Sequence, residues 1–140
     1  MREILFKAKR KDNGEWVQGY LFDDGMPKPK RYFIGGIIIK PYEGTACDKW
    51  NVVGIDFCEI DIDTLCQYTG LTDKNGKRIW ENDIAHIRSS GLSGYGVIKY
   101  ENGNLVLVDS KRKRTYSMYG EWKIRKDGNI FDNADLLEVE

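Results

Sequence analysis

Residues 67–84 read QYTGLTDKNGKRIWENDI. A run ending in Tyr68, Gly70 and Leu71 breaks at Asp73-Lys74-Asn75-Gly76 and resumes at Ile79-Trp80. Two β-prone runs around Asn-Gly are a strong short-range sign of a β-hairpin, because Asn and Gly accept the positive φ of a type I′ turn. The stretch therefore predicts a hairpin tip at Asn75-Gly76, and it carries two functional readings. In one, Asp73, Glu81 and Asp83 act as general acid, base or metal ligands while Tyr68 and Trp80 stack on a substrate. In the other, Asp73 belongs to the turn and Asp83 hydrogen-bonds at the start of a strand. Tyr68, Leu71, Ile79 and Trp80 then pack the junction between two halves of the chain. The second reading accounts for each residue without a ligand, so no residue is assigned a catalytic role.

Outward from this hairpin the same punctuation recurs at KDNG (11–14), DDG (23–25), ENGN (101–104) and RKDGN (125–129). Each lies between β-branched or aromatic runs and reads as a hairpin tip. YFIGGIII (32–39) reads as a buried strand pair broken by glycines, while 23–31, with two of the chain's prolines, and 42–51 read as loops. Five short strands are expected at 84–88, 96–100, 104–109, 115–119 and 121–125, with the glycine-rich SSGLSGYG (89–96) as a mobile loop. No sustained i, i+3, i+4, i+7 apolar spacing appears, so helix is confined to single turns at EIDIDTL (59–65) and FDNADLLEV (131–139). The expected fold is mainly β and antiparallel. It is of β-barrel type, with an N-terminal β region (1–66) and a connector plus SH3-like small barrel (67–140).

Charge supplies no global field, since 22 Lys and Arg balance 22 Asp and Glu over 140 residues. A charged partner must be met by a local patch. KRKR, comprising Lys111, Arg112, Lys113 and Arg114, is the concentrated basic run, and beside Tyr95, Tyr116 or Trp122 it would suit single-stranded nucleic acid. As a solvated tip it would instead keep a sheet edge from pairing with other chains. His86 is the only histidine, so any Ser-His or Cys-His catalytic pair must use it. Strand alternation places it with Ile84 and Arg88, on the wetter face. Asp56, Glu59, Asp61 and Asp63 read as a solvated acidic stripe without the spacing of a calcium loop. Cys47, Cys58 and Cys66 form no C-x-x-C unit and read as free thiols. No metal or cofactor is expected. The charged N-terminus and the absence of a long apolar run point to a cytoplasmic protein with no membrane partner.

Three stretches, REILFKAKRKDNGEWVQG (2–19), DIDTLCQYTGLTDKNGKRIWENDI (61–84) and DGNIFDNADLLE (127–138), together resemble the YopX family of small phage and prophage proteins. The resemblance implies a mainly β fold with an SH3-like part and a phage or prophage origin, and it names no activity. Two positions depart from the family pattern. Cys66 stands where the family tends to have a small residue, often glycine, and Glu81-Asn82 stands where an acidic-glycine pair is frequent. Asn is a common non-glycine occupant of left-handed backbone.

The sequence thus favours a non-enzymatic accessory protein that binds a protein partner or itself through exposed β edges or the segments 23–31 and 89–96. Nucleic-acid binding through Lys111 to Arg114 is the alternative, and acid–base chemistry near Asp83 the third.

Overall fold

The computed structural model describes residues 3–28, 30–41 and 50–138. The expected loop at 42–51 and Cys47 lie almost wholly outside them. Among the described residues the chain is built from antiparallel strands with two 3-10 turns and no α-helix. It divides into two compact units, Leu5–Leu65 and a second comprising Met1–Ile4 with Cys66–Glu140.

The first unit is a meander of β1 (Phe6–Lys9), β2 (Trp16–Asp23), β3 (Tyr32–Pro41) and β4 (Trp50–Glu59), each pairing with the next. YFIGGIII is one continuous strand, not two. Gly35 lies opposite Phe57, and a Cβ there would run into the Asp56 carbonyl and the Phe57 backbone. The glycine therefore permits close approach of β3 and β4 rather than a break. Ala8, Ile34 and Ile60 form the core, with Phe6, Val17, Leu21, Tyr32 and Leu65 against it. The acidic stripe does not continue as a strand, because β4 ends at Glu59 and a 3-10 turn, Ile62–Thr64, follows with Asp61 capping it through Asp63 N–H. Glu59 instead pairs with Arg31 at 2.8 Å and Lys11 at 3.2 Å.

In the second unit β5 (Cys66–Thr72) and β6 (Arg78–Trp80) form a hairpin. Next come β7 (Asp83–Ser89), β8 (Leu92–Glu101), β9 (Asn104–Asp109), β10 (Arg114–Ser117) and β11 (Lys123–Asn129), in a sheet of order β10-β9-β8-β7-β11. This sheet is open and does not close into a barrel. Its end strands are not neighbours, since the four-residue β10 pairs with β9 and β11 with β7. The core gathers Ile79, Ala85, Ile87, Ile98, Leu107, Met118 and Ile124 on one face.

The turns differ from expectation in instructive ways. ENGN is the anticipated tip, with Asn102 at φ 52° and Gly103 at φ 80°. The segment 89–96 is not a loop. Ser90 (φ 44°) and Gly91 (φ 83°) make a two-residue turn, and β8 begins at Leu92. RKDGN is no tip either; it lies inside β11, where a bulge between Lys126 and Gly128 shifts the register against β7. The terminal 3-10 turn is Ala134–Leu137, without a side-chain cap, and the Asn133 side-chain oxygen before it accepts Asn129 N–H at 3.2 Å.

Candidate functional site

The central motif is occupied with its own backbone. Asp73, buried, accepts Asn75 N–H at 2.8 Å and Lys77 N–H at 2.9 Å through one oxygen. Burial alone would raise its pKa, but the backbone N–H groups outweigh this and hold it below the ordinary carboxylate value. Only Gly76 in this turn has positive φ, at 82°, so Asn75 is not the left-handed residue a type I′ turn requires. Gly70 also takes positive φ, 85°, where β5 gains residues against β6. Tyr68 and Trp80 are both buried and pack ring on ring at 5.5 Å. They offer no open platform for a substrate. Leu71 packs against the sheet core beside Ile79.

Asp83 is fully buried and accepts Trp80 N–H at 2.7 Å on the oxygen that pairs with Lys126 at 3.1 Å. Asn82 beside it has φ 72° and donates its N–H to Ile98 O at 2.7 Å while its own carbonyl accepts Ile130 N–H at 3.0 Å. Its side-chain NH2 lies 3.6 Å from the Cys66 sulfur. Glu81 bonds back to Gln67 through both backbone and side chain. Among the described residues no three His, Cys, Asp or Glu side chains gather as a metal site.

The concentrated chemistry lies on the sheet's other face. Alternation that buries Ala85 and Ile87 puts His86 and Arg88 opposite them. Register then aligns Arg88 with Lys123 on β11 and Ser93 on β8, and His86 with Arg125 and Tyr95. Lys74 joins them because its backbone N–H donates to Ile124 O at 3.1 Å, pinning the β5–β6 turn beside β11.

Three hollows run across this surface and share walls. An open one is bordered by Arg88, Ser89–Gly91 and 120–123, which brings Glu121 beside Lys123. The next, of about 200 Å³, is lined by Lys74, His86, Arg88, Lys123, Ile124 and Arg125. The third, about 300 Å³, adds Tyr95, Lys111, Arg112 and Leu136-Leu137 to His86. Arg88 and Lys123 belong to the first two and His86 to the last two, so the hollows form one track. Three acids answer these cations: exposed Glu121 on the border of the first hollow, buried Asp109 in the wall of the third, and Asp127, bonded to Arg125 at 3.0 Å. Burial and the Asp127 carboxylate hold the Tyr95 phenol above its ordinary pKa, against the opposing Arg125 charge.

The basic run divides at this site. Lys111 and Arg112 line the third hollow, whereas Lys113, at φ 54°, and Arg114, the first residue of β10, do not. All four are exposed. Tyr116 and Trp122 pack edge to face and lie against the core. Sequence reasoning missed Lys74 and Lys123; the wetter face of β7 was the one signal for Arg88.

The family model described as YopX protein matches residues 5–138, nearly the whole chain. The chain belongs to the YopX family. A comparison with curated proteins finds no match. Within this YopX-family chain, residues 66–84 join the β5–β6 hairpin to the start of β7. Cys66 and Asn82, the two positions noted in the sequence, touch one another. No helix among the described residues is long and apolar enough to cross a membrane.

Proposed function

We propose that this YopX-family chain is a non-enzymatic nucleic-acid-binding module that holds single-stranded nucleic acid along the track of hollows on the β11-β7-β8 face. One observation carries this reading: three linked hollows whose walls carry five exposed cations, Lys74, Arg88, Lys111, Arg112 and Lys123, against the acids Glu121 and Asp109, with the Tyr95 ring in the third and core-packed Trp122 bordering the first. A backbone-tracking positive groove with interleaved rings is what sequence-tolerant single-strand binding requires. It extends the expected role of Lys111 to Arg114 to residues far apart in sequence and ranks nucleic acid above a protein partner. The carboxylates near Asp83 support no acid–base role in this reading, since Asp73 and Asp83 already serve turn and strand. A phage or prophage accessory role, a bacterial cytoplasmic setting and an SH3-like relationship for the open five-stranded sheet are parts of the same proposal.

The test is fluorescence anisotropy of labelled oligothymidylate with the full chain at low salt. Replacing Arg88 and Lys123 by alanine is expected to weaken binding at least about tenfold, while Lys28→Ala leaves it unchanged. Equal affinity for all three proteins, or none for the wild type, would overturn the reading.

A second reading, association with itself or another protein, is favoured by the first unit. There Phe22, Phe33 and Phe57 meet with centroids 5.3–6.0 Å apart, and Phe57 (50%) and Tyr20 (65%) remain exposed. Sedimentation that shows a concentration-independent monomer, unchanged by Phe57→Ser, would dismiss self-association.

A further inference from the structure

We propose that the third hollow is a nucleobase slot, taking one planar heteroaromatic ring edge-on to β8 with its phosphate at Lys111 and Arg112. The inference rests on the nucleic-acid reading of the surrounding face and specifies what one part of it grips.

Its origin is a mismatch in strand length. The last pair between β8 and β9 is Val97 with Val108, whereas β8 continues against β7 as far as Leu92. Beyond Val108 the chain leaves β8, and buried Asp109 fixes the departure by accepting Arg112 N–H at 3.1 Å. Ser93 to Tyr95 therefore have β7 as their paired strand on one side and line the hollow, while β9 still abuts Gly96. Gly94 and Gly96 keep β8 close to its neighbours on the core side. A Cβ on Gly94 would strike the Tyr116 ring, and one on Gly96 the Val108 carbonyl. Backbone thus forms much of this wall, with Tyr95 the large side chain between Ser93 and Val97.

The remaining walls select the occupant. Tyr95 and His86 stand side by side with ring centroids 6.4 Å apart. Half-buried Leu136 and Leu137 from the terminal 3-10 turn also line the hollow, and exposed Lys111 and Arg112 lie on its rim. Aromatic and aliphatic walls suit a flat ring, strand backbone suits in-plane donors and acceptors, and a cationic rim suits an attached phosphate. A bare inorganic anion would use the rim and waste the slot. A purely apolar ligand would use the walls and waste the rim. At about 300 Å³ the hollow sits at the lower end of small-ligand sites, which fits a single nucleotide unit better than a dinucleotide.

The experiment uses the full chain with three probes: thymidine 5′-monophosphate by calorimetry, inorganic phosphate as competitor, and oligothymidylate carrying one 2-aminopurine. The expected result is saturable mononucleotide binding that equimolar phosphate does not displace, and quenched 2-aminopurine fluorescence in the complex. Tyr95→Ala, which removes a ring wall, and Leu136→Trp, which fills the slot, should each cost about tenfold in mononucleotide affinity and relieve the quenching. Oligonucleotide affinity at low salt should fall less, because the cations remain. Melting curves identify a variant that fails to fold, and the other then carries the test. Oligonucleotide binding without mononucleotide binding, or with quenching unaltered in a folded variant, would overturn the slot and leave the face reading intact. Phosphate displacing the mononucleotide at equal concentration would overturn it too. Mononucleotide binding without oligonucleotide binding would support the slot and remove the face reading.

Discussion

Replacing Asp83 tests whether the central motif is a structural clamp. Its carboxylate is fully buried and serves two partners, Trp80 N–H at 2.7 Å and Lys126 at 3.1 Å, where Lys126 is 19% exposed. Asp83→Ala strands a buried backbone donor and leaves a largely desolvated ammonium without its counter-charge. Removing one partner of a buried pair costs about 3–5 kcal/mol, and the residual exposure of Lys126 places the expectation near the lower end. Asp83→Asn keeps an oxygen for Trp80 N–H and loses only the charge. It should cost about 0.5–2 kcal/mol, the order of a charge-assisted hydrogen bond less its neutral replacement. Because marginal domains have only about 5–15 kcal/mol in all, the alanine variant should be visibly destabilised at room temperature. Urea unfolding followed by tryptophan fluorescence reads both, with the slope checked for constancy before midpoints are compared. An alanine variant within about 0.5 kcal/mol of wild type, the range of an ordinary surface substitution, would refute the clamp.

Gly76→Val should cost about 1–2 kcal/mol in the same assay, from backbone strain at φ 82° alone, because nothing lies within 4 Å of the added Cβ. An unchanged melting temperature would refute the turn assignment. Asn82→Gly and Cys66→Gly should be non-additive, with a coupling of about 0.5 kcal/mol or more in a double-mutant cycle, since the two side chains touch at 3.6 Å. Hydrogen bonds from Arg31 and then Lys11 lower the Glu59 pKa from 4.5 to about 2. Its stabilising contribution is therefore complete above 4.5 and disappears as pH falls toward 2. The melting-temperature gap between wild type and Glu59→Gln should close across that window, and a gap that is constant with pH would contradict the pairing.

The strands were legible where side-chain alternation and turn chemistry agreed. Asn102-Gly103 fits its turn because both residues tolerate positive φ, and the flanking runs alternate without interruption. Ser90-Gly91 makes a similar turn, but serine gives little sign of left-handed backbone, so the glycines of 89–96 read as a loop. Asp127-Gly128 carries the composition of a tip, yet β7 offers a partner on both sides of it, and the glycine serves as a bulge packed against Asn133. A barrel was expected because strand count is visible in sequence and strand closure is not. The same asymmetry governs the site. Lys111 to Arg114 are contiguous and could be seen, whereas Arg88 and Lys123 meet only through β7–β11 register. The hollow by Tyr95 exists because β8 outruns β9, a relation between strand lengths that no motif encodes.

The salt dependence of oligothymidylate binding tests the functional account most directly. Phosphate contacts from Lys74, Arg88, Arg112 and Lys123 predict a slope of log affinity against log salt near about −3, since each single-strand contact contributes roughly −0.7. Alanine at Arg88, Arg112 and Lys123 together should flatten that slope by about two units and leave the fold intact. A wild-type slope near zero, or a triple variant as steep as the wild type, would contradict it.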